Sequence, residues 1–308
     1  MKKSTILLLF LLLLLTACVQ KQPNTWQERI IESNQEALPL AYSEYGRTNS
    51  KTLLFLHGFG ESQKTWRFIV PELAKKYHLI VVDLKGFGES PKVEDDAYSV
   101  YDHAKVLVKF MQQKHLKNVN IVAHSLGGGV ALVLGLMQQD GLLSSATIQS
   151  LVLINSTAYK QELPSMLKIL NRPIIGFLAI HLVSNDWMAN EAYRYGFYND
   201  ALIPQESVIY TSQSMSYPLA KYAYLQSVKQ LIPDDIEDME KRYKEIVLRT
   251  LIIWGRKDVS LHLYQAHKLH HSLVNSHLKI FPRVGHMPQE ESPQKVIDEI
   301  LQFMEEKP

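Results

Sequence analysis

Ser125, Asp258 and His286 lie far apart in the chain, yet their side chains are those that acyl-transfer chemistry needs. A serine hydroxyl is a weak nucleophile until a neighbouring imidazole takes its proton. That imidazole holds the right tautomer only when a carboxylate receives its other N–H. Each of the three follows a stretch that reads as a β-strand, so a parallel sheet would bring them to one edge. Two have plainer alternatives: a turn cap for Asp258 after Gly255-Arg256-Lys257, and a surface loop histidine for His286 in Val284-Gly285-His286-Met287-Pro288.

Ser125 stands in Asn120-Ile121-Val122-Ala123-His124-Ser125-Leu126-Gly127-Gly128-Gly129, a β-branched apolar run that turns abruptly into the helical run Val130 to Gln138. So tight a strand-to-helix turn pushes the serine Oγ outward, and it needs small residues two places before and two places after. Ala123 and Gly127 fill those places. The usual pattern is G-x-S-x-G, and the extra methyl of Ala123 is expected to be tolerated. The backbone N–H groups of Leu126 and Gly127 open the helix, whose positive end faces negative charge developing at a substrate carbonyl.

The elements that must hold these residues follow from apolar patterning. Leu40 to Tyr45 and Thr52 to His57 read as strands joined by a turn at Gly46 to Ser50. Lys64 to Tyr77 reads as a helix with Trp66, Ile69, Val70 and Leu73 on one face, and Leu79 to Asp83 as a buried strand. Asp102 to His115 is amphipathic and helical, Val119 to His124 is the strand before the serine, and Leu151 to Asn155 is the next strand. Strands that are apolar throughout and alternate with helices imply a parallel sheet covered on both faces. From Tyr159 to Glu245 no stretch reads as a buried strand, and helical spacing is interrupted near Pro173, Pro204, Pro218 and Pro233. This insertion is rich in aromatics: Trp187, Tyr193, Tyr195, Phe197, Tyr198, Tyr210, Tyr217, Tyr222 and Tyr224. Most are expected in its core or against the sheet, and some lining an apolar pocket. The alternation resumes with strand Thr250 to Trp254, helix Leu263 to Leu273, strand His277 to Phe281 and helix Pro293 to Met304.

With 308 residues, 46% hydrophobic and 21% charged, the composition is that of an ordinary globular chain rather than a disordered one. A formal net charge of +2, with no basic run interleaved with aromatics, implies no nucleic-acid partner. The amino terminus differs: Met1-Lys2-Lys3, an unbroken apolar run from Ile6 to Leu15, then small residues up to Cys18. That run is too short for the roughly 20 residues that span a bilayer, and it fits a secretory signal. Leu15-Thr16-Ala17-Cys18 resembles the lipobox of bacterial lipoproteins, in which the signal is removed before a cysteine that is then lipidated. A plain signal peptide with a chance cysteine is the alternative. Cys18 is the single cysteine, so no disulfide can form and no thiol is left for catalysis or metal binding.

Taken together, His57-Gly58-Phe59-Gly60, Asp83-Leu84-Lys85-Gly86-Phe87-Gly88-Glu89-Ser90, Ala123-His124-Ser125-Leu126-Gly127-Gly128, Trp254 to Asp258 and Gly285-His286-Met287-Pro288 resemble the α/β-hydrolase fold superfamily in its form with a helical cap. The order nucleophile, acid, histidine is also that of the superfamily. The resemblance implies an α/β fold: a mostly parallel sheet, helices on both faces and an inserted cap. It implies that Ser125, Asp258 and His286 form the catalytic triad, that Phe59 and Leu126 supply the two oxyanion N–H groups, and that Asp83 to Ser90 is a structural loop. The expected organisation is a lipoprotein signal at 1–17, a tether at 18–37, the hydrolase core at 38–158 and 246–308, and the cap at 159–245.

A serine nucleophile disfavours the dehalogenase and epoxide-hydrolase branches, which attack with a carboxylate. The expected activity is hydrolysis of carboxylic esters of hydrophobic acyl groups, without cofactor or metal, by an enzyme lipid-anchored through Cys18 in a bacterial cell envelope. Its expected partners are a small-molecule or lipid ester and the membrane. The alternatives are a carbon–carbon bond hydrolase of the same superfamily and a non-catalytic binding lipoprotein. Of the other histidines, His57 is expected to be structural, His124 to pack away from the nucleophile, and His267, His270 and His271 to lack the acidic or thiol partners a metal site requires.

Overall fold

The structure is a computed structural model that describes residues 38–143 and 147–306, with Trp26 and Ile30. The signal, Cys18 and the tether expected at 18–37 lie outside these residues, apart from Trp26 and Ile30. Seven strands form one sheet: β1 (Tyr42–Tyr45), β2 (Thr52–Leu56), β3 (His78–Val82), β4 (Val119–His124), β5 (Ile148–Ile154), β6 (Arg249–Gly255) and β7 (Ser276–Phe281). Their spatial order is β1-β3-β2-β4-β5-β6-β7. All neighbours are parallel except β1, which runs antiparallel to β3 from Tyr42 opposite Val82 to Tyr45 opposite Leu79.

The helices are α1 (Val70–Leu73), α2 (Val100–Gln113), α3 (Leu126–Gln139), α4 (Ser165–Leu170), α5 (Pro173–Leu182), α6 (Asn185–Gly196), α7 (Gln205–Ser214), α8 (Ala220–Lys229), α9 (Ile236–Lys241), α10 (Leu263–Ser272), α11 (Pro288–Glu291) and α12 (Pro293–Glu305). Leu53, Phe55, Leu79, Val81, Val122, Val152 and Ile253 pack on one face of the sheet with Val70 and Leu73 of α1 and with Val296, Ile297, Ile300 and Phe303 of α12. The alternate residues Leu54, Leu56, Ile121, Leu151 and Ile252 are buried too, and with the side-chain period of two they point to the other face. Both faces are therefore covered, and each large side chain so buried stabilises the fold by roughly 1.5–3 kcal/mol.

Two local departures from the sequence pattern have clear causes. The helix expected over Lys64 to Tyr77 is split into a 3-10 turn at Gln63–Trp66 and the four-residue α1, which has Pro71 in its first turn. Proline offers no N–H and its ring clashes with the preceding turn, so the helix restarts there instead of running through. The faces still match, since Trp66, Ile69, Val70 and Leu73 are all buried. The strands flanking Gly46 do not pair with each other: β2, apolar on both sides, lies between β3 and β4 and leaves β1 at the edge.

Between β5 and β6 the described chain runs through α4 to α9 without a strand. Pro173 begins α5, Pro204 caps α7, and Pro218 and Pro233 stand in the loops before α8 and α9. Ala189, Tyr193, Phe197 and Val208 of this insertion share a buried cluster with Met287 from the loop after β7. The described residues from Leu38 to Glu306 belong to one compact unit. Among the described residues no helix is long and apolar enough to cross a membrane.

Candidate active site

Ser125 follows β4, the central strand, and is the N-cap of α3 with φ 49° and ψ −116°. That backbone region is costly for a residue with a Cβ and persists only where its surroundings over-determine it. Here they do. The Ser125 N–H donates to the Ile154 carbonyl at 3.1 Å, while the Ser125 carbonyl accepts from the Gly128 and Thr157 amides at 2.9 and 3.0 Å. The close approach falls after the serine rather than before it. A Cβ on Gly127 would stand 2.5 Å from the Leu56 carbonyl oxygen, and one on Gly128 would stand 1.9 Å from Ser156 Oγ. Ala123 is fully buried and its methyl is accommodated.

The Ser125 Oγ lies 3.0 Å from His286 Nε2, and His286 Nδ1 lies 2.7 Å from Asp258 Oδ2. A carboxylate can only accept, so Nδ1 carries the proton and Nε2 is free to receive the serine hydroxyl's hydrogen bond. Asp258 is buried, and both its oxygens are held. Oδ1 accepts from the Ser260 and Leu261 amides at 2.7 and 2.9 Å, and Oδ2 accepts from Asn155 Nδ2 at 2.5 Å. The three distant residues are thus one hydrogen-bonded line. Asn155, just past β5, escaped sequence reasoning as a site residue; its signal was a polar residue ending an apolar strand. Its Oδ1 also accepts from the Gly255 N–H at 3.0 Å, which joins β6 to the acid loop.

The loop His57 to Gly60 passes beside Ser125, since a Cβ on Gly58 would lie 3.0 Å from Ser125 Cβ. The Phe59 and Leu126 amides meet no acceptor among the described residues. His57 has a structural place: it accepts the Leu84 N–H on Nε2 at 2.9 Å, so Nδ1 donates to the Gly58 carbonyl at 2.7 Å. Burial holds its pKa below the ordinary 6.5. Asp83 accepts from the Gln63 and Glu89 amides at 2.6 and 2.8 Å, so the loop after β3 is cross-braced.

His124 departs from plain packing. Its Nδ1 lies 3.1 Å from the Glu61 carboxylate and its Nε2 lies 2.8 Å from the His286 backbone carbonyl. Both partners are acceptors only, so both ring nitrogens carry hydrogen and the ring is an imidazolium. Burial opposes that charge, but the charge and hydrogen bond of Glu61 outweigh it and raise the His124 pKa. Burial likewise opposes ionisation of Glu61, and His124 overcomes it, leaving Glu61 below the usual 4.5. Glu61 also accepts the Gly58 N–H at 2.9 Å. One buried ion pair therefore ties the loop beside Ser125 to the backbone of His286. Glu61 was not singled out from sequence, although a carboxylate directly after His57-Gly58-Phe59-Gly60 was its trace.

The insertion is fastened to the site on two sides. On the histidine side, the His286 N–H donates to the Gly196 carbonyl at 2.6 Å, and buried Glu291 accepts from Gly285 and Tyr198 amides at 2.5 and 2.6 Å. On the other, the Tyr224 hydroxyl donates to the Gly60 carbonyl at 2.8 Å, and its ring meets Phe59 and Phe87 edge-on, each at 5.4 Å between centroids. The aromatics of the insertion divide unlike the expectation. Tyr193, Phe197 and Tyr224 are buried, whereas Trp187, Tyr195, Tyr198 and Tyr217 are exposed. Two of the exposed rings carry lysines, Lys257 over Tyr198 and Lys92 over Tyr217. His271 bonds back to the His267 carbonyl and His270 lies beside Ser276. Among the described residues no group of three or more histidine, cysteine or acidic side chains could hold a metal.

Lipase 1 of Psychrobacter immobilis is 23% identical over 270 residues, which are 86% of this chain and 80% of that protein. The 2-hydroxy-6-oxo-6-(2'-aminophenyl)hexa-2,4-dienoic acid hydrolase of Metapseudomonas resinovorans is 24% identical over 295 residues, 92% of this chain and 93% of that one. The solved esterase of Thermogutta terrifontis shares the fold with a TM-score of 0.71 at 20% identity, over 86% of this chain and 92% of its own. Residues 51–293 match the alpha/beta hydrolase fold family, a span that runs from just before β2 into the first residue of α12 and contains Ser125, Asp258 and His286. The chain belongs to the α/β-hydrolase fold family.

Proposed function

We propose that the protein is a serine hydrolase that cleaves carboxylic esters of hydrophobic acyl groups through an acyl-enzyme. The observation that carries this is the line Ser125 to His286 to Asp258, with hydrogen-bond lengths of 3.0 and 2.7 Å. Ser125 Oγ attacks the ester carbonyl carbon while its proton passes to His286 Nε2. Asp258 holds the imidazolium so formed. The Phe59 and Leu126 N–H groups receive the oxyanion, and the positive end of α3 lies behind it. Collapse breaks the bond to the alcohol, which leaves with the proton from His286. Water then repeats the sequence on the acyl-enzyme and frees the acid. No step draws on a cofactor. The enzyme would act in a bacterial cell envelope, lipid-anchored through an acylated Cys18.

Ser125→Ala is expected to lower kcat on p-nitrophenyl esters by several orders of magnitude while the fold stays intact. Equal labelling of parent and variant by a fluorophosphonate probe would remove Ser125 from the nucleophile's place. A second reading is supported by the relative that hydrolyses a dienoic acid: the same triad could cleave a carbon–carbon bond beside a ketone. Turnover of a 2-hydroxy-6-oxo-dienoate well above that of any ester would favour it.

A further inference from the structure

We infer that α5 is a membrane-docking element that lays its outer face into the headgroup boundary of an anionic lipid bilayer. Its sequence, Pro-Ile-Ile-Gly-Phe-Leu-Ala-Ile-His-Leu, is inverted relative to an ordinary surface helix. The inward face consists of Gly176 and Ile180, the two buried residues. At Gly176 the end of α4 comes so near that a Cβ would stand 2.1 Å from the Leu170 carbonyl oxygen. Ile174, Leu178 and Leu182 recur every four residues on the opposite side and are 77%, 48% and 79% exposed. Ile175 and Phe177 flank them at 48% and 55%. Single exposed apolar residues are ordinary, but five within ten consecutive positions form a patch of the kind that marks a partner. Trp187, in the first turn of α6, adds an exposed amphipathic ring of the type that settles at membrane interfaces.

Charge selects a lipid as that partner. From Leu163 to Asn185 there is no aspartate or glutamate; Glu162 and Asp186 border the stretch, Glu162 is held by Lys168 at 2.6 Å, and Arg172 is exposed with no carboxylate against it among the described residues. An apolar face with the Arg172 guanidinium at its amino end suits acyl chains beneath anionic phosphates. Across a twofold contact centred on α5, a second copy would bring Arg172 no carboxylate from within the stretch, the neighbouring Glu162 being held by Lys168. α5 packs on α4 and on α8, and α8 carries Tyr224, which holds Gly60. The docked face would thus lie one helix away from the loop beside Ser125. The consequence rests on the hydrolase reading: the substrate class becomes esters dissolved in the bilayer rather than in water.

The test uses the full-length chain with Cys18→Ser, so that one environment-sensitive fluorophore can be placed either through Leu178→Cys on α5 or through Val274→Cys. Val274 is exposed and lies at the amino end of β7, the sheet edge away from Ser125. With vesicles of phosphatidylethanolamine and phosphatidylglycerol, the label at position 178 should shift to the blue and be quenched by nitroxides on the acyl chains, and the label at 274 should not. Ile174→Ser with Leu182→Ser should abolish that quenching. In unlabelled protein the same pair should leave turnover of a water-soluble ester unchanged and cut hydrolysis of a vesicle-dissolved ester at least about tenfold. Equal quenching at 178 and 274, or none at 178, overturns the proposal. So does a blue-shifted label at 178 without vesicles, whether concentration-dependent, which indicates a second copy, or not, which indicates a segment of the same chain. Quenching at 178 with no turnover of either ester leaves docking standing and removes the hydrolase reading instead.

Discussion

Asp258 illustrates how a single carboxylate can join several segments at once, and on the proposed reading orient the catalytic histidine as well. Its two oxygens accept four hydrogen bonds, one of them from His286. Asp258→Asn would place an N–H₂ against a donor, so the imidazole should settle in the opposite tautomer and kcat should fall up to about 10⁴-fold. Steady-state kinetics beside a circular dichroism spectrum checks this, and near-parental turnover would move the acid elsewhere. Glu61 is the positioning counterpart, acting through His124 on the backbone of His286. Its lowered pKa gives stability that is present above about its ordinary 4.5 and is lost as pH falls through the folded value. The raised pKa of His124 gives stability that is whole below its ordinary 6.5 and is lost as pH rises through the folded value. The melting-temperature gap between parent and Glu61→Gln should therefore be widest between these two values and narrow on either side, and kcat should fall up to about 10²-fold as the histidine loop shifts. A gap that does not vary with pH would show that the pair is not ionic. Ser125, Asp258 and His286 could be read from type and order. Glu61 and Asn155 could not, because their roles are hydrogen bonds made across the sheet edge between segments distant in sequence.

At the scale of elements, strands were the most legible, since a parallel strand buried on both faces must be apolar at every position, as Leu53 to Leu56 and Ile121 to Ala123 are. Pairing was less so. Nothing in Tyr42 to Tyr45 says that it will run antiparallel against β3 rather than beside β2, because its partner is chosen by the sheet as a whole. The insertion was legible as helices and illegible as a surface: aromatic content alone does not distinguish Tyr224, which braces Gly60, from Tyr217, which lies under Lys92. Its effect on specificity is open to a direct measurement. Of the rings gathered beside the His57 to Gly60 loop, Phe87 and Tyr224 are buried and Phe59 is partly exposed, so on the proposed ester reading an acyl chain would meet Phe59 first. Each added methylene is worth roughly 0.8 kcal/mol, so kcat/KM should rise severalfold per CH₂ across a series from acetyl esters until the space is filled, then fall. A flat series, or one highest at acetyl, would show that these rings serve packing alone.

At the scale of the whole molecule, the proposed lipid anchor raises the question of what would hold a chain with a net charge of only +2 at a membrane. That charge gives little electrostatic attraction, and no described helix is long and apolar enough to span the bilayer. On the proposed lipoprotein reading, durable attachment comes from the amino terminus, where Leu15-Thr16-Ala17-Cys18 follows a short apolar run. One acyl chain holds a protein only marginally, and several at one residue hold it durably. Cys18→Ser should abolish incorporation of labelled fatty acid and leave the chain either as unprocessed precursor or released from the membrane. Because the triad lies far along the chain, turnover of soluble esters should persist in that variant. Mass spectrometry of the mature, membrane-bound protein decides the matter: an amino-terminal Cys18 carrying acyl groups is the expected product, and an unmodified Cys18 in that fraction would assign attachment to another part of the molecule.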